Sequence, residues 1–520
     1  VTENHQDSGR PNTGIVFLVG AGPGDPSLIT VKGLECIRTA DVIVYDYLAS
    51  PRFIQEARED AELIYVGKKG KDHTCEQDEI NDILVRKARE GKKVVRLKGG
   101  DPYVFGRGAE EAEQLVASGI PFEMVPGVTS AVAAPAYAGI PVTHREHASM
   151  VTFITGHEDP TKEETAIDWE VLARNPGTLV FLMGVRNLNT ISESLIKQGR
   201  SPGTPAALVR WGTTPAQQSL FSTLARIPED ASRAGIKPPA VLVVGSVTSL
   251  HEKLNWFEQK PLFGKRILIT RKGKQSRGLA EKIASLGGEP VLFPTIEIKP
   301  PEDTGPMDRA IQEIGSYDWI IFTSVNGVEL FLKRFLELRE DIRDLSGPRI
   351  GAIGPVTAAT ILSHGIKVDL LAKEFVAEGL LAQFTTDQVK GKRFLIPRAE
   401  TAREVLPEQI AKMGGTVDVV PVYRACLPDA SDIDHAKELL RTKAIDAVTF
   451  TSSSTVNHFV EMLGPEDLGR LLEDVVIASI GPITSQTIRE KGLTSTVEAA
   501  EYTTDGLVSG LAGVFLKRRG

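Results

Sequence analysis

The chain has 520 residues, of which 41% are hydrophobic and 25% charged, and its formal net charge is −8. That length predicts several domains with ample core, the charge argues against general nucleic-acid binding, and no run of 18 apolar residues marks a membrane span. Cys36, Cys75 and Cys426 are too few and too scattered for a disulfide framework or a zinc site, which points to the cytoplasm.

Val1 to Thr13 are polar and read as a flexible tail. Ile15 to Val19 make an apolar strand that runs into Gly20-Ala21-Gly22-Pro23-Gly24-Asp25-Pro26. Asp25 and Pro26 form an N-cap and first-turn pair, which predicts a helix to about Thr39. Val42 to Tyr45 make a second strand ending in Asp46. A dinucleotide fingerprint is the competing reading, but its third glycine would fall on Asp25, and Pro23 and Pro26 remove donors that a pyrophosphate needs. Ser50-Pro51 repeats the cap signal, and Leu63 to Val66 make a third strand. Gln77 to Glu90 make a helix with Ile80, Ile83, Leu84 and Ala88 inward.

Val94 to Leu97 then open into Lys98-Gly99-Gly100-Asp101-Pro102 and, through Phe105-Gly106-Arg107-Gly108, reach a helix with Ala112, Leu115 and Val116 on one face. Taken alone, this loop is either a tight turn or a place where backbone approaches a ligand, with Asp101 ready to accept hydrogen bonds. Phe122 to Val125 supply a fifth strand, followed by Pro126-Gly127-Val128-Thr129-Ser130 and an alanine-rich helix ending near Gly139. Strands alternating with helices predict an open α/β sheet, whose ligands bind outside the carboxyl ends of the strands. Pro23, Asp46, Lys68, Gly99 to Asp101 and Thr129 all fall there, although Asp46 as a helix cap and Lys68 as a solvated charge are the plainer alternatives.

Val19 to Asp25, Val44 to Asp46, Gly67-Lys68, Lys98 to Pro102, Phe105 to Gly108, Val125 to Gly127 and Ala138 to Arg145 together resemble the uroporphyrinogen-III C-methyltransferase family. The resemblance continues through Thr155 to His157, Leu179 to Gly184, Leu208 to Thr213 and Leu254 to Phe257, whose apolar runs read as strands of a second α/β domain beginning near Ala148. It implies domains at 14–147 and 148–258, a cleft between them, and a homodimer through this half. It also implies transfer of methyl groups from S-adenosyl-L-methionine to uroporphyrinogen III, giving precorrin-2 and S-adenosyl-L-homocysteine. By the same resemblance Pro23, Gly99, Gly100, Asp101, Val104, Thr129, Ser130, Met183 and Gly212 line the S-adenosylmethionine site, Ser130 standing where alanine is common. Asp46 matches a position proposed as proton acceptor and Lys68 one proposed as donor. Arg107, Arg145 and Lys69 are candidate partners for substrate carboxylates, with an ordinary surface or structural charge the plainer alternative for each. His144 and His157 have no second ligand at a useful spacing, so no metal site is expected.

After a junction at 259–263 the pattern changes. Gly264-Lys265-Arg266 recurs as Gly391-Lys392-Arg393, Phe322-Thr323-Ser324 as Phe450-Thr451-Ser452, and Ile353-Gly354-Pro355 as Ile480-Gly481-Pro482; Glu374 to Leu380 resembles Glu501 to Leu507. The offset is always 127 or 128 residues, which predicts an internal duplication into two α/β lobes. Ile267 to Thr270 and Phe394 to Pro397 are strands, each followed by a helix, bearing Leu279, Ile283 and Leu286 or Leu406, Ile410 and Met413, and by a Gly-Gly pair. The hydroxyl-rich turns Thr323 to Asn326 and Thr451 to Ser454 either cap helices or bind anionic groups.

With Tyr502 to Leu507, this half resembles the uroporphyrinogen-III synthase family from Gly264 to about Leu516. The resemblance implies that hydroxymethylbilane loses water and closes with ring D inverted, and that Tyr423 assists the departing hydroxyl; core packing is the alternative for Tyr423. Thr323, Ser324, Gly354, Thr357, Arg398, Ser452, Ser453, Gly481 and Thr484 are the candidate substrate contacts. It further implies lobes that exchange segments, 264–300 with 424–520 and 301–423, where repetition alone would divide them near Lys390. The expected chain is thus α/β throughout, a tetrapyrrole-methylase-like two-domain unit followed by a duplicated two-lobed synthase unit. Small tetrapyrroles are its expected partners, with no nucleic acid or membrane, and a non-catalytic two-lobed binding module is the alternative for the second half.

Overall fold

The computed structural model describes residues 13–48, 51–67, 76–157, 166–271, 274–295, 297–372, 377–400, 404–426 and 430–519. Lys68, Lys69, Ser50, Cys75, Glu374 and the tail before Thr13 therefore lie outside the described residues. The chain divides into two compact units, one of Val1–Ile267, Ala280–Pro290 and Leu511–Gly520 and one of Leu268–Leu279 and Val291–Gly510.

In the first unit, β1 (Ile15–Gly20), β2 (Val42–Tyr45), β3 (Glu62–Tyr65), β4 (Lys93–Lys98) and β5 (Phe122–Val125) form a sheet in the order β3-β2-β4-β1-β5, parallel throughout. Val16, Leu18, Val42, Val44 and Val94 enter one core cluster, and Val19, Ile43, Val95 and Leu97 another. Both faces are covered, which is why these strands read as continuous apolar runs.

The helices correct the sequence expectation in two places. Asp25 caps only a single 3-10 turn, Pro26–Leu28, accepting the Ser27 N–H at 2.9 Å. Thr30 then acts as a second cap, accepting the Gly33 N–H at 3.1 Å, and α1 spans Val31–Thr39. Two competing caps split the expected helix. Further on, α2 (Gln77–Arg89) buries Ile80, Leu84 and Ala88 as its periodicity predicts. In α3 (Gly108–Ala117), however, Val116 is 64% exposed while Glu111 is fully buried beside Ala112 and Leu115. A carboxylate takes the inward place because two buried cations face it there. The alanine-rich α4 spans Ser130–Tyr137.

A second sheet in this unit contains β6 (Val151–Thr155), β7 (Thr178–Leu182), β8 (Pro205–Arg210), β9 (Gln218–Thr223) and β10 (Ala240–Val244), in the order β6-β7-β10-β8-β9. β6 and β7 are parallel; the other pairs are antiparallel. Leu254 to Phe257 is not one of its strands. Leu254 ends a one-turn helix, and the rings of Trp256 and Phe257 pack on Tyr137 at 4.9 and 4.8 Å, so their apolar character serves a contact with α4.

The remaining strands are β11 (Arg266–Ile269), β12 (Glu289–Leu292), β13 (Glu297–Lys299), β14 (Trp319–Phe322), β15 (Arg349–Ala352), β16 (Leu370–Leu371), β17 (Arg393–Ala399), β18 (Thr416–Cys426), β19 (Ala447–Phe450), β20 (Val476–Ser479) and β21 (Val497–Glu498). They form two sheets, β12-β11-β19-β20-β21 and β13-β18-β17-β14-β15-β16. The repeat offset maps β11, β12, β14, β15 and β16 onto β17, β18, β19, β20 and β21, and matched strands hold matched places. The first sheet therefore takes two strands from the first repeat and three from the second, and the other takes two from the second repeat and four from the first, β13 being the additional one. β13 pairs antiparallel with the end of β18, Glu297 opposite Cys426, so this sheet reaches beyond the 301–423 span expected for its lobe.

The duplication extends into the cores. Phe322 meets Phe331 edge-on at 5.7 Å, and their repeat equivalents Phe450 and Phe459 meet at 5.1 Å, all four fully buried. Phe322→Ala and Phe450→Ala should each lower stability by about 3–5 kcal/mol in denaturant unfolding. A loss under about 1 kcal/mol at either site would contradict equivalent packing.

Candidate functional site

The loops that follow β1, β4 and β5 lie side by side because glycines let their backbones meet. A Cβ on Gly20 would sit 2.5 Å from the Gly127 Cα, and one on Gly127 would sit 2.2 Å from the Gly100 carbonyl oxygen. Only glycine tolerates such contacts. Gly22 and Gly100 exchange backbone hydrogen bonds of 2.7 and 3.2 Å. Asp101 ties the loops together: its carboxylate accepts the Gly127 N–H at 3.0 Å and the Tyr103 N–H at 2.8 Å. Each oxygen retains further acceptor capacity, so loop building and ligand binding are compatible in this residue. A Cβ on Gly100 would meet Thr129 Cα and Ser130 N at 3.8 Å, an ordinary van der Waals contact, so the start of α4 lies directly beside this glycine. Thr129 caps α4 by accepting the Ala131 N–H at 3.3 Å. Pro23, Gly99 and Val104 are half-buried in the same loops.

The second sheet closes against this edge. A Cβ on Gly212 would lie 2.4 Å from the Ala134 Cβ, and one on Gly24 would lie 2.6 Å from the Thr214 side chain. The Asp25 N–H donates to Thr213 Oγ1 at 3.0 Å, and Tyr137 donates its hydroxyl to the Asp25 carboxylate at 2.9 Å. Burial, together with that carboxylate, pushes the Tyr137 phenol well above its ordinary range. Gln217 accepts the Thr213 N–H at 2.9 Å and donates to Glu258 at 2.8 Å. Tyr47 meets Trp211 edge-on at 5.8 Å. Of eight non-glycine residues with positive φ among the described residues, five sit in these loops: Phe105, Arg107, Met183, Trp211 and Thr213, at +55°, +58°, +57°, +48° and +71°. Left-handed backbone costs about 1–2 kcal/mol per residue, and such strain concentrates at functional sites. Met183 is half exposed at this edge.

Asp46 follows the last residue of β2 and belongs to a charge network that the sequence reading missed. Its Oδ1 accepts the Leu48 N–H at 3.1 Å, and its Oδ2 pairs with Arg96 at 3.1 Å. Arg96 also reaches Glu111 at 3.3 Å, and Lys98 donates to the same Glu111 oxygen at 2.6 Å, as does Gln77 at 3.1 Å. Arg96, Lys98 and Glu111 are all buried. Burial and the adjacent Arg96 hold the Lys98 ammonium below its ordinary pKa despite Glu111. The signal was present as two cations at strand spacing inside the apolar run Val94 to Lys98. Of the other charged candidates, Arg107 pairs with Glu110 at 2.6 Å, whereas Arg145 is exposed and has no ion-pair partner among the described residues.

In the β13-β18-β17-β14-β15-β16 sheet, Ser324 caps the helix Val325–Arg339 through the Gly327 N–H at 3.1 Å and lies 3.2 Å from the Tyr423 hydroxyl. These two candidates are brought together beside Thr323, with Tyr423 also packed on the adjoining core. Gly354 precedes the helix Pro355–Ser363, and Arg398 on β17 is buried and paired with Glu404. In the other sheet, Ser452 caps the helix Ser453–Leu463 and meets Ser454 at 2.9 Å, while Ser453 accepts the Thr487 hydroxyl at 2.8 Å. Gly481 precedes the helix Pro482–Glu490. Thr357 and Thr484 are only 6% and 4% exposed, set back from the surface that the capping serines reach. No group of three metal-ligating side chains occurs among the described residues.

A family model described as tetrapyrrole (corrin/porphyrin) methylases matches residues 16–228, and one described as uroporphyrinogen-III synthase HemD matches residues 277–509. The chain is 39% identical over 498 residues to the porphyrin biosynthesis protein HemD of Ruminiclostridium josui, covering 96% of this chain and 97% of that one. It is 58% identical over 243 residues to the S-adenosyl-L-methionine-dependent uroporphyrinogen III methyltransferase of Methanosarcina barkeri, covering 47% of this chain and 95% of that one. Among solved structures, uroporphyrin-III C-methyl transferase from Thermus thermophilus complexed with S-adenyl homocysteine is 40% identical, with a TM-score of 0.40, covering 46% of this chain and 100% of that one.

Glu111→Gln removes the buried counter-charge of Arg96 and Lys98, so it should cost about 3–5 kcal/mol in denaturant unfolding. Adding Lys98→Met should recover part of that loss, because the remaining Arg96 and Asp46 balance. No recovery would show that Lys98 and Glu111 are not coupled.

Proposed function

The chain belongs to the family of the porphyrin biosynthesis protein HemD and joins a tetrapyrrole methylase to a uroporphyrinogen-III synthase, and from that premise we propose how its two sites act in turn. It is a bifunctional enzyme of tetrapyrrole biosynthesis. The synthase closes hydroxymethylbilane to uroporphyrinogen III with ring D inverted, and the methyltransferase then adds two methyl groups to give precorrin-2.

The observation that carries the methyltransferase site is the meeting of the Gly20, Gly100 and Gly127 loops beside Thr129, at the sheet edge where the strained Trp211 and Thr213 reach Tyr47 and Asp25. S-adenosylmethionine, when bound, supplies an electrophilic methyl group. The nucleophile is a ring carbon of the porphyrinogen, so no side chain attacks, and the task of the chain is alignment in a closed cleft. Gly99, Gly100 and Asp101 hold the cofactor with Pro23, Val104, Thr129, Ser130, Met183 and Gly212. Asp46 receives the proton that the methylated ring gives up, Lys68 serves as donor, and Arg107 and Arg145 meet substrate carboxylates. In the synthase, Ser324 and Tyr423 assist the departing hydroxyl, and the turns at Thr323, Gly354, Ser452, Ser453 and Gly481 present backbone N–H groups to substrate carboxylates, with Thr357, Arg398 and Thr484 supporting them. Two lobes, 264–300 with 424–520 and 301–423, enclose the substrate. The protein works as a homodimer through its methyltransferase half, in the cytoplasm. No helix among the described residues is long and apolar enough to cross a membrane.

Hydroxymethylbilane should yield uroporphyrinogen III without S-adenosylmethionine and precorrin-2 with it, followed by mass. Failure to consume hydroxymethylbilane would make the second half a binding module. Asp101→Ala should slow methyl transfer by about 10- to 100-fold with uroporphyrinogen III formation unchanged; loss of both activities would contradict separate sites. Tyr423→Phe should slow uroporphyrinogen III formation by about tenfold, and an unchanged rate would leave Tyr423 a packing residue.

A further inference from the structure

β4 carries a guanidinium where an apolar side chain would serve the sheet equally well. The Arg96 side chain is only 4% exposed and is held at every nitrogen: Nε by Glu111 at 3.3 Å, Nη1 by the Leu97 carbonyl at 3.1 Å, and Nη2 by Asp46 at 3.1 Å. Burying this charge weakens the fold unless its partners repay the desolvation. Those partners end at the cleft. Asp46 is gripped from two sides, by the Leu48 N–H on one oxygen and by Arg96 on the other, so its carboxylate has one orientation. Glu111 in turn accepts from Gln77, Arg96 and Lys98 on one oxygen, Oε1, and its buried Oε2 has no hydrogen-bond partner among the described residues. That arrangement is poor solvation for Glu111 and firm location for Arg96. With both carboxylates ionised, Asp46, Glu111, Arg96 and Lys98 sum to zero charge.

We propose that Arg96 and Glu111 are positioning residues for methyl transfer: Arg96 orients the Asp46 carboxylate toward the macrocycle, and Glu111 locks Arg96. The pair rests on Asp46 being the proton acceptor. The test uses the full chain with Arg96→Lys, with the charge-balanced Lys98→Met/Glu111→Gln, and with Asp46→Asn, alone and combined. It reads methyl-transfer kcat, KM for uroporphyrinogen III, the dissociation constant of S-adenosylmethionine by calorimetry, and uroporphyrinogen III synthesis as the control for folding. Both network variants should lower kcat by about tenfold or more. Cofactor affinity, KM and synthesis should stay within about twofold, and each variant should cost less than about twofold further once Asp46 is already Asn.

An unchanged kcat in the network variants overturns the proposal, as does a parallel loss of cofactor affinity, which is the signature of a merely structural role. Full losses on top of Asp46→Asn overturn it as well. If Asp46→Asn alone keeps full kcat, the assignment of Asp46 falls and the pair falls with it. If Asp46→Asn is slow while the network variants are fast, the pair alone falls.

Discussion

Three backbones meeting at Gly20, Gly100 and Gly127 set the geometry on which the first unit depends. At Gly20 and Gly127 the obstacle to any larger residue is main chain, not the tip of a side chain that could move aside, and at Gly100 it is the left-handed φ of +70°. The loops after β1, β4 and β5 are thereby brought to one place, and Asp101 bonds across two of them. Gly24 and Gly212 repeat the device between the two sheets of this unit, against Thr214 and Ala134. Once the backbones are this close, neighbouring residues have little choice of conformation. The left-handed residues Met183, Trp211 and Thr213 lie where the second sheet must turn to meet the first. The fold carries that strain where the loops of its two sheets come together.

Much of this was legible in the sequence, and the misses share a cause. The parallel strands announced themselves as apolar runs, and the loop motifs after them fell at one sheet edge because βα alternation leaves no other place for them. What failed were inferences from apolarity or a single cap. Val116 is apolar but exposed, because a buried carboxylate at Glu111 answers Arg96 and Lys98, a charge relation between separate elements that no periodicity contains. Leu254 to Phe257 is apolar because its rings cover Tyr137, not because it is a strand. The helix foreseen from Pro26 is divided because Thr30 caps as well as Asp25 does. Individual glycines suggested closeness, but only the fold shows which backbone each of them meets.

The second half carries its history in its register. Two repeats separated by a constant offset could have made two sheets of one repeat each, with the same strand order. Instead the strand pairs β11-β12 and β17-β18 each join strands from the other repeat. The equivalent aromatic pairs, Phe322 with Phe331 and Phe450 with Phe459, show that packing stayed common to both sheets despite the exchange. The equivalent turns do differ: Ser324 reaches Tyr423, whereas Ser452 reaches Ser454.

That exchange also orders events on the ribosome. The strands from β13 to β18 are contiguous in the chain, so their sheet has all its members once Cys426 has emerged. The other sheet begins with β11 and β12 but must wait for β19, β20 and β21, a separation that raises contact order and slows closure. Until then β11 has an unsatisfied edge, a template for strand pairing with other nascent chains. The contiguous lobe thus matures inside the interval in which its neighbour is open, and the stretch after Cys426 is the part on which safe folding of the earliest synthase strands depends.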